Sequence, residues 1–134
     1  MIFEAPTEWI SPESFPDLKD HKYIAIDLET RDPGLKARGS GALIGDGEIV
    51  GVAVAVEGWS GYYSFGHKEG NFFDEAVVMR WVKEICALPN VKLFHNAMYD
   101  VCWLRAYGVQ INGHIVDTMV MASLVDENRF HYSL

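Results

Sequence analysis

The spacing of apolar positions changes partway along this chain. The run Tyr23-Ile24-Ala25-Ile26-Asp27-Leu28 is nearly continuous in apolar character, as in a buried strand. Glu48 to Val56 is a second such run, rich in valine, and Tyr62 to Phe65 is a third, aromatic one. The Gly58 to Gly61 turn signal between the last two is short, which predicts an antiparallel hairpin. After Phe65 the spacing becomes helical. Val77, Val78, Trp81, Val82, Ile85 and Leu88 mark one face, and Pro89 stops the pattern. Val91 to Phe94 reads as a short strand. Ala97 to Tyr107 reads as a helix with Gly108 as its terminal glycine. Ile115-Val116 is a brief strand, and Asp117 is placed to cap a third helix bearing Val120, Met121, Leu124 and Val125. The order β-β-β-α-β-α-β-α predicts an α/β fold. Its mixed sheet starts from a β-hairpin and carries helices on both faces. Residues 31–47, with Gly34, Gly39, Gly41, Gly45 and Gly47, are expected to form a flexible loop. Residues 1–20, with Pro6, Pro12 and Pro16, are expected to be an irregular N-terminal arm preceding a domain over 21–134.

Composition narrows the function classes. The chain has 134 residues, the size of one domain, and 49% of them are hydrophobic, enough for a real core rather than a disordered segment. The longest apolar run, Ile49 to Val56, is far short of the roughly 20 residues that cross a bilayer. The first 20 residues do not read as a signal peptide. No membrane partner and a cytoplasmic location are therefore expected. Cys86 and Cys102 both fall in predicted helices and read as buried thiols in a reducing compartment, with no zinc-site spacing around them. Lys and Arg number 11 against 19 Asp and Glu, so the formal charge is 11 − 19 = −8. Charge alone will not hold duplex DNA. A local site for a nucleic-acid end remains open where acids bind a cation and reverse the sign.

Two pairs of residues carry candidate chemistry. Asp27 and Glu29 are two apart on a strand, so both carboxylates face one side, and such a pair suits a hard cation, Mg²⁺ or Mn²⁺. Asn96 and Asp100 are four apart on a helix and share a face with Leu104. Asn96 is placed as N-cap, and Asp100 lies in the first turn, where the helix dipole favours an anion. Each piece alone has a structural explanation. Asp117 is explained by capping. Trp81 and Trp103 read as core, at least one of Tyr62, Tyr63 and Phe65 as buried, and His95 as a satisfied structural histidine. Gly39-Ser40-Gly41 lacks the context of a dinucleotide or P-loop, and Lys36 and Arg38 read as solvated loop residues that can reach phosphate.

Together the segments Ile26-Asp27-Leu28-Glu29-Thr30, Asn96-x-x-x-Asp100-x-x-x-Leu104 and Asp117-Thr118-Met119 resemble the DnaQ-like (DEDD) 3′–5′ exonucleases. Within that superfamily they resemble the proofreading domain of family A DNA polymerases, notably those of bacteriophages. The resemblance implies a ribonuclease H-like fold and a two-metal mechanism with Mg²⁺ or Mn²⁺. It implies that Asp27, Glu29 and Asp100 are three of four catalytic, metal-binding acids, with Asp27 bridging both ions. Leu28, Thr30, Asn96 and Leu104 would lie on the side of the terminal nucleotide. The implied partners are a single-stranded DNA 3′ end and a polymerase domain of the same full-length chain, in the host cytoplasm if phage-encoded. The third motif, with the fourth acid, has no counterpart through Leu134, so a partial domain of weak or no activity is expected. An RNA exonuclease similar to the ribonuclease D group, and a non-catalytic binding or structural module, are the alternatives.

Overall fold

The computed structural model describes residues 12–129 and 131. Strands β1 (Tyr23–Arg31), β2 (Glu48–Val56), β3 (Trp59–Ser64), β4 (Val91–Phe94) and β5 (Ile115–Asp117) form one mixed sheet in the order β3-β2-β1-β4-β5. β1 pairs antiparallel with β2, and β2 with β3; β1 with β4 and β4 with β5 are parallel. The first half is thus the expected hairpin-based antiparallel unit, and the second half is built from crossovers. Helix α3 (Glu75–Ala87) connects β3 to β4, α4 (Ala97–Ala106) connects β4 to β5, and α5 (Thr118–Val125) follows β5.

Alternation along the strands sorts the sheet into two faces. Ile24, Ile26 and Leu28 of β1, Val52 and Val54 of β2, Tyr63 of β3 and Phe94 of β4 point to one side. There they pack against Val78, Trp81, Val82 and Ile85 of α3 and Trp103 and Leu104 of α4. Asp74 caps α3 by accepting from Val77 N at 3.2 Å. The opposite side holds Ala25, Asp27, Ala53, Ala55, Tyr62 and Leu93, which line a groove of about 520 Å³. Among the described residues, Thr118 at the start of α5 is the helical residue that reaches this groove. Helical cover is therefore complete on one face and marginal on the other, where two were expected.

Three further expectations change. Residues 31–47 are not an open loop: α1 (Leu35–Arg38) and α2 (Gly41–Ile44) are two single turns, held by Asp32, whose two carboxylate oxygens both accept from Gly41 N at 3.1 Å. The hairpin turn is tighter than the glycines suggested, because β3 already starts at Trp59 and leaves only Glu57 and Gly58 between strands, with Gly58 at φ 82°. The apolar residues of α5 do not form a packed face: Val120, Met121, Leu124 and Val125 are all exposed. Of the cysteines, Cys86 is buried as expected and Cys102 only partly so.

The part of the N-terminal arm within the described residues is irregular, yet it is fastened to the core. Phe15 stacks on Tyr63 with centroids 5.0 Å apart, Trp81 Nε1 donates to Pro16 O at 3.1 Å, and Leu18 is buried. Lys92 on β4 is wholly buried, and no pattern marked it. Its ammonium donates to the carbonyls of Leu88, Asn90 and Asn112, joining the end of α3, the start of β4 and the segment before β5.

Candidate active site

The acids meet where the parallel half of the sheet joins the hairpin half. Because β1 alternates, burying Ile26 and Leu28 forces Asp27 and Glu29 outward on the open face. Asp100 reaches the same place from the first turn of α4. It is 3% exposed, and Leu28 N–H points at its Oδ2 at 3.4 Å. Burial first, and then the charges of Asp27, Glu29 and Asp117, push the Asp100 carboxyl up to about 7. Burial also raises Asp27, and His95 partly offsets it. The three acids named from sequence therefore share one electrostatic neighbourhood. They are not packed to ligating distance: among the described residues, no three His, Cys, Asp or Glu side chains are grouped closely enough to hold an ion.

Asp117 is the anchor of this corner. Its Oδ1 accepts from Asn96 N at 3.0 Å and from Met119 N at 2.9 Å, while Oδ2 accepts from Ala97 N at 2.9 Å. One carboxylate thus caps α5, as expected, and α4 as well. Burial works against its ionisation, but the backbone N–H groups of Ala97, Met119 and Asn96 outweigh it and hold Asp117 below the usual carboxylate range. Asn96 does not cap α4 with its side chain, correcting the expectation. It stands at φ 64°, the one left-handed non-glycine among the described residues, and its side chain is exposed. Asparagine tolerates that conformation better than most residues, which gives it a structural reason at this position.

The residues expected beside a terminal nucleotide are distributed unevenly. Thr30 sits just past a bulge in β1, and its hydroxyl is shared with Tyr99 Oη at 2.7 Å; Tyr99 also donates to Asp32 at 3.0 Å. Leu28 is buried in the core apart from its backbone N–H at Asp100. Leu104 shows no exposed surface, so the structure corrects its expected role: the side chain packs in the core and offers nothing to a nucleotide. Leu104 lies one turn beyond Asp100 on the same face of α4, and that face is buried. Arg38 pairs with Asp46 at 2.6 Å.

Sequence reasoning passed over four residues at this site. His95 Nδ1 lies 2.9 Å from Thr118 Oγ1, the satisfied partner expected of it, yet it also faces Asp27. Tyr99 orders Thr30 and the loop. Tyr62 and His67 bond to each other on the open face, and the phenol of Tyr62 is pushed up to about 12 by burial, then by Glu29 and Asp27. The available signal was the run of small residues Gly51, Ala53 and Ala55 on β2, which leaves room above that strand for a ring.

The donor set is of a kind that takes a divalent ion, but among the described residues its spacing does not fit one. Three carboxylates offer hard oxygen ligands, and the raised Asp100 marks unbalanced negative charge that a cation would relieve.

No family model matches the chain. It is 27% identical over 135 aligned residues to a DNA-directed DNA polymerase of Pseudomonas phage M6, an alignment that covers 96% of this chain and 20% of the polymerase. The chain thus spans about a fifth of that relative's length. Among solved structures, a nuclease in its apo form superposes with a TM-score of 0.57 at 17% identity, covering 84% of this chain and 47% of the nuclease. Pol1 from M. smegmatis, solved as its POL domain in complex with DNA primer-template and dNTP, superposes at 0.54 and 13% identity, covering 86% of this chain and 18% of Pol1. At those identities the structures speak for the fold, a ribonuclease H-like α/β sheet. In sequence and in fold, the chain resembles a polymerase-associated, exonuclease-like domain.

Proposed function

We propose that this chain is part of a metal-dependent 3′–5′ exonuclease domain that proofreads for a DNA polymerase. The observation that carries the reading is Asp100. A buried carboxyl on α4 faces Asp27 and Glu29 of β1 and is raised to about 7 partly by their charge. Purely structural acids seldom converge this way without a cationic partner; functional ones often do. The polymerase likeness over nearly the whole chain supports the substrate class.

In this reading Asp27, Glu29 and Asp100 would hold Mg²⁺ or Mn²⁺ once drawn closer together than they stand here. Such ions, when bound, neutralise the phosphate and lower the pKa of an attacking water. The remaining work belongs to the chain. Asp117 fixes the relation of α4 to β5 and so the place of Asp100. The bulge after Glu29 and the Thr30–Tyr99–Asp32 bonds shape the edge along which a strand end would lie. With a net charge of −8, charge alone would not hold duplex, so affinity would rest on a few contacts to unstacked nucleotides and single-stranded 3′ ends would be preferred. A polymerase domain of the same full-length chain would supply that end.

Digestion of 3′-labelled and 5′-labelled single strands and of duplex, with Mn²⁺, tests the reading on this chain and on a C-terminally extended one. Loss of nucleotides from the 3′ end by the longer protein, abolished by Asp27→Ala, is expected. Equal rates for the two lengths would show the site complete without further acids. No 3′ digestion by either would reject the activity. A second reading, a non-catalytic nucleic-acid-binding module, is favoured by one observation: the acids stand close in charge but not within ligating distance of one ion. Mn²⁺-independent binding of single strands would support it.

A further inference from the structure

One register row crosses all five strands on the open face: Val116 of β5, Leu93 of β4, Ala25 of β1, Ala55 of β2 and Ser60 of β3. The row beside it holds Asp27, Ala53 and Tyr62. The Tyr62 ring takes the space over Gly51, and the groove of about 520 Å³ has Ala25, Ala53 and Ala55 in its floor. Alanine is depleted from strands, and a sheet face turned to water usually carries larger polar side chains. Small residues on such a face make room for a layer laid close against it. Helix α5 extends the same surface. Thr118 at its start lines the groove, and residues 118–125 include no charged side chain. Val120 and Met121 are each 52% exposed, Leu124 81% and Val125 88%, and their spacing puts all four on one side of the helix. Single exposed apolar residues are ordinary, but four together beside an apolar groove form the kind of patch that marks an interaction.

The occupant of this surface is constrained by its chemistry. An alanine floor offers no hydrogen-bond partners, so a segment lying on it must satisfy its own backbone groups, as a helix does. A strand would instead add at a sheet edge, β3 or β5, and leave the face open. A second copy of this chain is disfavoured by charge, because each copy carries −8. A longer chain is the better source. The phage polymerase likeness covers 96% of this chain but only 20% of that relative. Helix α5 is the last element in chain order, and it starts at the rim of the groove. Whatever follows it is tethered beside the surface, which makes docking intramolecular and raises its effective concentration.

We propose that the alanine-floored groove and the exposed apolar side of α5 form one docking surface for an apolar helix that follows α5 in the full-length polymerase chain. This rests on the polymerase likeness and not on the acids, so failure to digest 3′ ends leaves it standing, and its own failure leaves the exonuclease reading standing. The test compares this chain with a C-terminally extended one. Ala55→Cys places a thiol on the groove floor, Leu124→Cys one on α5, and Lys68→Cys an exposed reference on a loop. Maleimide labelling is followed peptide by peptide, which separates the new thiol from Cys86 and Cys102. The thiols at 55 and 124 are expected to label at least about 10-fold more slowly in the extended chain than in this one, while the thiol at 68 labels alike in both. A photoreactive crosslinker on Ser60→Cys, at the groove's rim, then identifies the neighbour in the extended chain. The expected product keeps the mass of one chain and joins residue 60 to a segment beyond α5 whose apolar residues recur at three- and four-residue spacing. Equal labelling at 55 and 124 in the two lengths overturns the proposal. So does slow labelling already in this chain, or a crosslinked product of twice the chain's mass, which would assign the surface to a second copy. Should Ala55→Cys not fold, Leu124→Cys, a change at an exposed position, decides by the same comparison.

Discussion

Replacing Asp117 by Asn separates a simple helix cap from the double cap seen here. At a single N-cap, Asn and Asp are nearly equivalent, so an Asp117 that served α5 alone would tolerate the change. The structure sets a different cost. Three backbone N–H groups, from Asn96, Ala97 and Met119, converge on both carboxylate oxygens at 2.9–3.0 Å. Asparagine offers one oxygen. With Oδ1 kept toward Asn96 and Met119, the amide NH₂ faces Ala97 N–H, donor against donor. One hydrogen bond to a charged acceptor is lost and two others become neutral. At about 1.5–3 kcal/mol for a bond to a charged group against about 1 for a neutral one, and with partial solvent access discounting the sum, the cost is ~2 kcal/mol. Asp117→Ala, which loses all three, should cost ~3 kcal/mol. The pH dependence carries a sign. The folded-state pKa of Asp117 is depressed from 3.8, so its stabilisation is fully present above that value and lost as pH falls through the lower, folded one. Urea unfolding of wild type and Asp117→Asn at several pH values measures both effects. The gap should be near its full size at pH 7 and shrink below about pH 4. A gap under about 0.5 kcal/mol at pH 7, the range of ordinary surface changes, or one that is unchanged at low pH, would refute the double-cap account.

Two more outcomes follow from buried charge. Asp100 has its pKa raised from 3.8 to about 7, so the folded state binds its proton more tightly and stability falls as pH rises between those values. Asp100→Asn, which keeps an acceptor for Leu28 N–H, should match wild type near pH 4 and exceed it by ~2–4 kcal/mol at pH 8 in chelator. Metal-free wild-type stability that is flat from pH 5 to 8 would contradict this. Lys92→Met should cost ~2–4 kcal/mol in urea unfolding, because three carbonyls lose their shared buried donor; a neutral substitution would mean those carbonyls find other partners.

Most of the elements, and the side of β1 on which Asp27 and Glu29 lie, were legible along the chain. The alternation from Ile24 to Glu29 is local, and whichever face buries the isoleucines must expose Asp27 and Glu29. The first-turn place of Asp100, the cap at Asp117 and the hairpin were legible for the same reason: each depends on neighbours a few residues away. Glycine counting misjudged residues 31–47, because the order there comes from Asp32 and Tyr99, the latter 67 residues distant. The spacing places Leu104 on the face of Asp100, and only the packing of α4 on the sheet shows that this face is buried. The partners of Asp100, Asp117 and Lys92 were equally invisible. Leu28 N–H meets Asp100 across 72 positions, Asn96 meets Asp117 across 21, and Asn112 meets Lys92 across 20. Such pairs exist only once the order β3-β2-β1-β4-β5 has set which strands and helix ends are adjacent. Tyr62 shows the same division within one residue. The strand pattern places it on the face opposite Tyr63, but the close approach of its ring to Gly51 depends on the missing side chain of a neighbouring strand, and its hydroxyl is bonded by His67 of the following loop. Periodicity is a property of the chain and can be read along it; proximity is a property of the packed sheet, where burial and charge acquire their partners.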